Sequence, residues 1–91
     1  MIAVVACDVR IVNALGMHAR AAARFVKLAS TFRSRILVAR GTRTMDGKSI
    51  LGLLLLTAAR GTELRISADG ADEAQALDAL CGLIARGFEE P

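Results

Sequence analysis

The hydrophobic positions change period several times along the chain. Cys7, Val9 and Ile11 alternate with Asp8 and Arg10, the period of two of a half-buried strand. They predict a first strand over residues 2–12. Asn13, Ala14, Leu15 and Gly16 break it. From His18 to about Thr31 the period becomes helical. Ala21, Phe25, Leu28 and Phe32 share one stripe, with Ala22, Val26 and Ala29 beside it, and Arg20, Arg24 and Lys27 form the opposite ridge. This pattern predicts an amphipathic helix with a basic outer face, rich in the alanine that helices favour. Residues 35–39 predict a second strand, Gly41 a tight turn, and residues 42–45 a short third strand closed by Asp46 and Gly47. Ser49 is placed to N-cap a short apolar helix over residues 50–57, which Arg60 and Gly61 end. Residues 63–68 alternate cleanly as a fourth strand. Asp69 and Gly70 lead into a last helix whose first turn carries Asp72 and Glu73, where the helix dipole favours acids. Ala74, Leu77, Leu80 or Cys81, and Ile84 mark its expected buried stripe, and Gly87 its stop.

The predicted order is β-α-β-β-α-β-α. Strands that each keep one polar side, interleaved with helices, imply an α+β fold with helices on one face of the sheet. A length of 91 residues predicts one domain, residues 1–91, and no repeat, linker or low-complexity tract interrupts it. A domain this small needs efficient packing, and 54% hydrophobic residues supply the material. The only aromatics are three Phe, so the core is expected to be aliphatic.

The longest apolar run, residues 50–56 with Gly52 inside it, is far shorter than the roughly 20 residues a bilayer requires, so no membrane association is expected. The first ten residues have no basic stretch ahead of the apolar one and no small-residue cleavage site, and so do not read as a signal peptide. Cys7 and Cys81 fit no metal or redox spacing. The expectation is two buried free thiols in a reducing cytosol, with no metal and no cofactor.

Net charge is +3, unevenly distributed. Residues 1–60 hold ten Lys or Arg against Asp8 and Asp46, whereas residues 61–91 hold two Arg against seven acids. A basic first two-thirds suits an acidic partner, a nucleic acid or a phosphate, although counts alone describe scattered solvated charges equally well.

His18 is the only histidine. A lone His is most often a surface or satisfied core residue, but this one follows a Gly-containing turn and opens a helix. The first N–H groups of a helix have no intrahelical partner, and with the dipole they form an anion site. Arg20 can add a charge-assisted contact to phosphate. The same field favours a neutral imidazole, which keeps the lone pair a nucleophile needs. Phosphoryl transfer requires mainly positioning and charge neutralisation. No carboxylate pair, metal cluster, Gly-rich phosphate loop or Ser-His-Asp set accompanies His18, so the constellation reads as a relay point rather than a free-standing enzyme.

The stretch Asn13, Ala14, Leu15, Gly16, Met17, His18, Ala19, Arg20 resembles the active-centre signature of the HPr family of phosphocarriers, including its nitrogen-branch members. Lys48, Ser49, Ile50, Leu51, Gly52, Leu53 resembles the family's second signature. Residues 61–80, with Ile66, Ser67, Ala68, Asp69, Gly70, Ala71, Asp72 and Glu73, resemble its last strand and helix. The resemblance spans nearly the whole chain with spacing intact. It implies an open-faced sandwich, a four-stranded antiparallel sheet covered by three helices. It implies that His18 takes a phosphoryl group on Nδ1 from enzyme I, charged by phosphoenolpyruvate, and passes it to a histidine of an A-type enzyme II domain. Arg20 would steady the group; Asn13, Gly16 and Ala19 would support the active-centre loop. Ile50, Leu51 and Leu54, beside Ala19 and Ala23, would dock both partners. A small exposed apolar patch beside a basic helix end suits brief encounters with acidic proteins, and it suits a monomer. For Ser49 two roles stand side by side: helix N-cap alone, or the site of a regulatory serine kinase whose phosphate would repel acidic partners.

One departure is Ala21, where most members of the family have Pro. Proline stiffens a first helical turn, and Ala can adopt the same backbone. The ending Gly87, Phe88, Glu89, Glu90 leans toward the nitrogen branch without deciding between it and the sugar branch. Two other functions compete. A regulatory homologue would bind partners without carrying phosphate, against which His18 and Arg20 both stand. A small basic nucleic-acid-binding domain would suit the pI near 9.5, but single-strand recognition stacks bases on aromatics, and Phe25 and Phe32 fall on the stripe read as buried.

Overall fold

The computed structural model describes residues 5–90; the predicted start of the first strand at residue 2 lies outside them. The chain runs β1 (Val5–Arg10), α1 (Ala19–Ala29), β2 (Arg35–Arg40), β3 (Arg43–Asp46), α2 (Ile50–Leu55), β4 (Glu63–Asp69) and α3 (Glu73–Ala85), and ends in a single 3-10 turn, Gly87–Glu89. The elements fall where the periodicity places them, with α1 and α2 each ending about two residues early.

The four strands form one antiparallel sheet in the order β1-β4-β2-β3. β4 is thus inserted between the first two strands. Its pairing with β1 runs from Val5 opposite Ala68 to Arg10 opposite Glu63. This register brings the segment leaving β1 against the segment entering β4, with Ile11 N–H donating to the Thr62 carbonyl and Gly61 N–H to that of Ile11. Leu64, Ile66 and Ala68 of β4, with Ile36 and Val38 of β2, face inward. Asp8 and Arg65 face outward and pair across β1 and β4 through two hydrogen bonds, at 2.8 and 3.1 Å.

The helices cover the inner face. α1 buries Ala21, Ala22, Phe25 and Ala29, a mostly alanine stripe. Leu53 and Leu56 close the core under α2, and Leu80, Ile84 and Phe88 close it under the C-terminal end. α2 is capped at both ends. Ser49 Oγ accepts from Gly52 N–H at 3.0 Å. Arg40 donates to the Leu56 carbonyl at 2.8 Å and Arg43 to that of Leu55 at 3.0 Å, where the dipole favours cations. At the start of α3 the Asp72 carboxylate does not cap its own helix. It accepts from Arg33 N–H, Ser34 N–H and Ser34 Oγ, at 2.8, 2.9 and 2.6 Å, and clamps the α1–β2 loop. Those donors, the Ser34 hydroxyl first, hold its pKa down at about 2.

Two expectations need correction. α3 buries Ala76, Leu80, Leu83 and Ile84, whereas Ala74 is exposed and Leu77 and Cys81 are half-buried. The helix packs over β1 as well as β4, and β1 is the sheet edge, so one side of the expected stripe overhangs that edge. Cys7 and Cys81 are not free thiols. They meet at that overhang and form a disulfide between β1 and α3, 74 residues apart in sequence. Spacing along the chain carried no trace of it.

Candidate functional site

The site is built on the loop between β1 and α1. Gly16 has φ +65°, a left-handed conformation that glycine adopts readily, and a Cβ there would lie 2.5 Å from the Ala58 carbonyl oxygen. The loop is therefore pressed against the segment leaving α2, and Met17 N–H donates to that same carbonyl at 2.8 Å. Asn13 is buried and its Nδ2 donates to the Gly16 carbonyl at 2.8 Å, closing the loop on itself.

This loop delivers His18 as the N-cap of α1, with extended backbone and its carbonyl accepting the helix's first hydrogen bond, from Ala22. The side chain is one-quarter exposed. Nδ1 faces the Arg20 N–H at 3.2 Å. A nitrogen that accepts from an N–H carries no proton, so the ring proton sits on Nε2. Nε2 lies 2.6 Å from Glu90 Oε1 and donates to it. The same carboxylate oxygen also accepts from Asn13 Nδ2 at 2.9 Å. The His18 contact is the main cause holding the Glu90 carboxyl below its ordinary range. The Asn13 bond and the nearby charge of Arg20 act in the same direction, against partial burial. The helix terminus and Glu90 act on different nitrogens and agree on one tautomer, with the Nδ1 lone pair directed at the helix N-terminus.

The arrangement brings together Asn13, Gly16, His18 and Arg20. Beside them lies a cleft of about 670 Å³ walled by Asn13, Leu15, Arg20, Arg60, Arg86 and Glu90. Ala19 and Ala23 are exposed on α1, which packs against α2. On α2, Ile50 and Leu51 are 42% and 68% exposed, whereas Leu54 is half-buried against the core. Leu55, absent from the expected patch, is 52% exposed. A two-turn helix with buried Leu53 and Leu56 turns Leu51 and Leu55, one turn apart, toward solvent. Ser49 is half-buried, its hydroxyl engaged as the cap.

Sequence reasoning missed Glu90, Leu55 and the exposed Leu15. Glu90 had one signal: Phe88 directly follows the stop at Gly87, and an apolar residue there commonly packs back on its helix. Phe88 is fully buried and its carbonyl accepts from the Arg24 guanidinium, which turns Glu90 back to the loop. Among the described residues, no three of His, Cys, Asp and Glu cluster as a metal site, and no helix is long and apolar enough to cross a membrane.

Residues 5–86 match the family model described as the PTS HPr component phosphorylation site. The chain is 46% identical over 83 residues to the phosphocarrier protein HPr of Neisseria meningitidis serogroup A, covering 91% of this chain and 93% of that one. Its fold matches the crystal structure of HPr-C-His from Thermoanaerobacter tengcongensis with a TM-score of 0.92 at 39% identity, covering 96% of this chain and 98% of the other. A structure of an HPr dimer from the same organism matches at a TM-score of 0.76 and 42% identity, covering 80% of this chain and 84% of that one. With the fold, the active-centre loop and these similarities in agreement, the chain belongs to the HPr family, the phosphocarrier proteins of the phosphotransferase system.

Proposed function

We propose that His18 Nδ1 is the atom that carries the phosphoryl group. The observation that supports this most directly is the Nδ1 lone pair facing the Arg20 N–H in the first turn of α1. The Nδ1 lone pair attacks phosphorus on the phosphohistidine of enzyme I. The donor's P–N bond breaks and its electron pair stays with the donor ring. The incoming oxygens take over the Arg20 N–H and draw on the Arg20 guanidinium. Transfer onward to a histidine of an A-type enzyme II domain reverses these events. Asn13 and Gly16 hold the loop, and Ala19 lets a partner's ring approach the site closely.

The docking surface we propose is Ala19 and Ala23 of α1 with Ile50, Leu51 and Leu55 of α2, and Leu54 at its edge. Phosphorylation of Ser49 by a serine kinase would place negative charge next to Ile50 and weaken docking of acidic partners. Residues 1–91 then act as one domain, a cytoplasmic monomer; a dimer mass in light scattering at micromolar concentration would count against that state.

The decisive measurement is intact-protein mass after incubation with phosphoenolpyruvate, Mg²⁺ and enzyme I. One acid-labile phosphoryl adduct is expected, absent from His18→Ala. An adduct that persists in His18→Ala, or none with an enzyme I that charges another HPr, would overturn the assignment.

A further inference from the structure

Building on the reading of His18 as the phosphoryl acceptor, we propose that Glu90 is a positioning residue for it, holding the proton on Nε2 so that Nδ1 stays nucleophilic and the phosphorylated ring stays an imidazolium. The contact is short, 2.6 Å, and sheltered, with the His18 and Glu90 side chains only 24% and 15% exposed. It is also built in from both sides. Asn13 Nδ2 bonds the Gly16 carbonyl and Glu90 Oε1 together, so the side chain that shapes the loop also aims the carboxylate. On the other side, Phe88 anchors the terminal turn in the core and Arg24 of α1 binds its carbonyl. Phe88 and Glu89 both have left-handed backbone, φ 57° and 62°, a conformation non-glycine residues keep only where the surroundings enforce it.

The proton balance gives the carboxylate its role. When Nδ1 attacks phosphorus, the Nε2 proton need not leave, and the ring becomes a phosphorylated imidazolium. Its positive charge lies against the Glu90 carboxylate. On transfer onward, the Nδ1–P bond breaks, its electron pair returns to Nδ1, and the leaving group is a neutral imidazole. Were the proton lost from Nε2, the leaving group would be an imidazolate, far more basic and slower to depart. Arg20 and Arg24 on α1, Arg86 after α3 and Arg60 before β4 are the cations around the pair. They suit the phosphoryl oxygens and would repel an imidazolium, and Glu90 offsets that repulsion.

The test compares the wild-type chain with Glu90→Ala and Glu90→Gln, each shown to be folded by its amide NMR spectrum. The ¹⁵N shifts of His18 report the tautomer, and rates of charging by enzyme I and discharge to an enzyme II domain report transfer. In the wild type, a single Nε2–H tautomer is expected. In Glu90→Ala the tautomers mix and both transfer rates fall on the order of 10-fold or more, the worth of one hydrogen bond to a charged group, in kcat rather than in KM for enzyme I. Glu90→Gln keeps an acceptor oxygen without the charge, so it restores the tautomer while discharge remains slow. Unchanged ¹⁵N shifts and rates within twofold in Glu90→Ala, in a wild-type background that is phosphorylated, overturn the role of Glu90 alone. A wild-type chain that accepts no phosphoryl group overturns the carrier reading and this proposal together.

Discussion

At the scale of single residues, Gly16 sets the position of the His18 ring. Any side chain there meets the Ala58 carbonyl at 2.5 Å while holding φ +65°. Left-handed backbone costs an L-residue about 1–2 kcal/mol, and the clash adds to it. Gly16→Ala is therefore expected to lower unfolding free energy by about 2 kcal/mol or more and to slow phosphorylation of His18, because the loop must lift away from residues 58–59. Urea unfolding and charging by enzyme I measure the two effects; a fully active variant of unaltered stability would mean the loop is not held as described. Asn13 shows what this packing costs, since its Oδ1 is buried with no hydrogen-bond partner among the described residues. Two donor bonds from Nδ2 offset that loss. The place of His18 was legible in the sequence because it is local: a glycine turn, then a helix start. The partner on Nε2 was not, because it lies 72 residues away.

At the scale of elements, Asp72 couples the start of α3 to the α1–β2 loop. Its carboxyl falls from an ordinary 3.8 to about 2 in the folded chain. A depressed carboxyl contributes stability that is complete above its unfolded pKa and is lost as pH falls through the folded one. The stability difference between wild type and Asp72→Asn is therefore expected to be constant above about pH 4 and to shrink toward about pH 2. Asp8 and Glu90 are also depressed, and both proteins retain them, so their contribution cancels in the difference. Urea midpoints of the two proteins over that range decide it, and a constant difference down to pH 2 would remove the clamp from the account. Such clamps explain why element order was easier to read than element rotation. The exposed face of α2 and the buried face of α3 depend on what each helix leans on. Leu55 turns outward because Leu53 and Leu56 are taken by the core; Ala74 is exposed and Leu77 only half-buried because α3 spans the sheet edge.

At the scale of the molecule, the Cys7–Cys81 disulfide ties the edge strand to the last helix. Closing a loop of that length removes entropy from the unfolded chain worth about 4 kcal/mol. In a reducing compartment such a bond opens, and the fold then rests on the core alone. Cys7→Ser with Cys81→Ser, or the reduced wild type, is expected to remain folded and able to accept phosphate, but less stable than the oxidised form by up to about 4 kcal/mol. Thiol titration alongside urea unfolding with and without reductant tests this. Loss of the amide spectrum on reduction would show instead that the core alone is insufficient.

The sequence by itself determined the elements, their order and the placing of His18 and Arg20 at one helix start. Hydrophobic period, turn glycines and caps act over a few residues, so β1 to α3, Ser49 as a cap and the His18–Arg20 pair could be read directly. Tertiary structure alone decided the strand order β1-β4-β2-β3, the joining of Cys7 to Cys81, the outward turn of Leu55 and the return of Glu90 to His18. Burial of apolar surface is non-directional, and it names no partner across 70 residues of chain. Only when the sheet closes and Phe88 docks do these groups share a place, with the Glu90 carboxylate against Nε2 of His18.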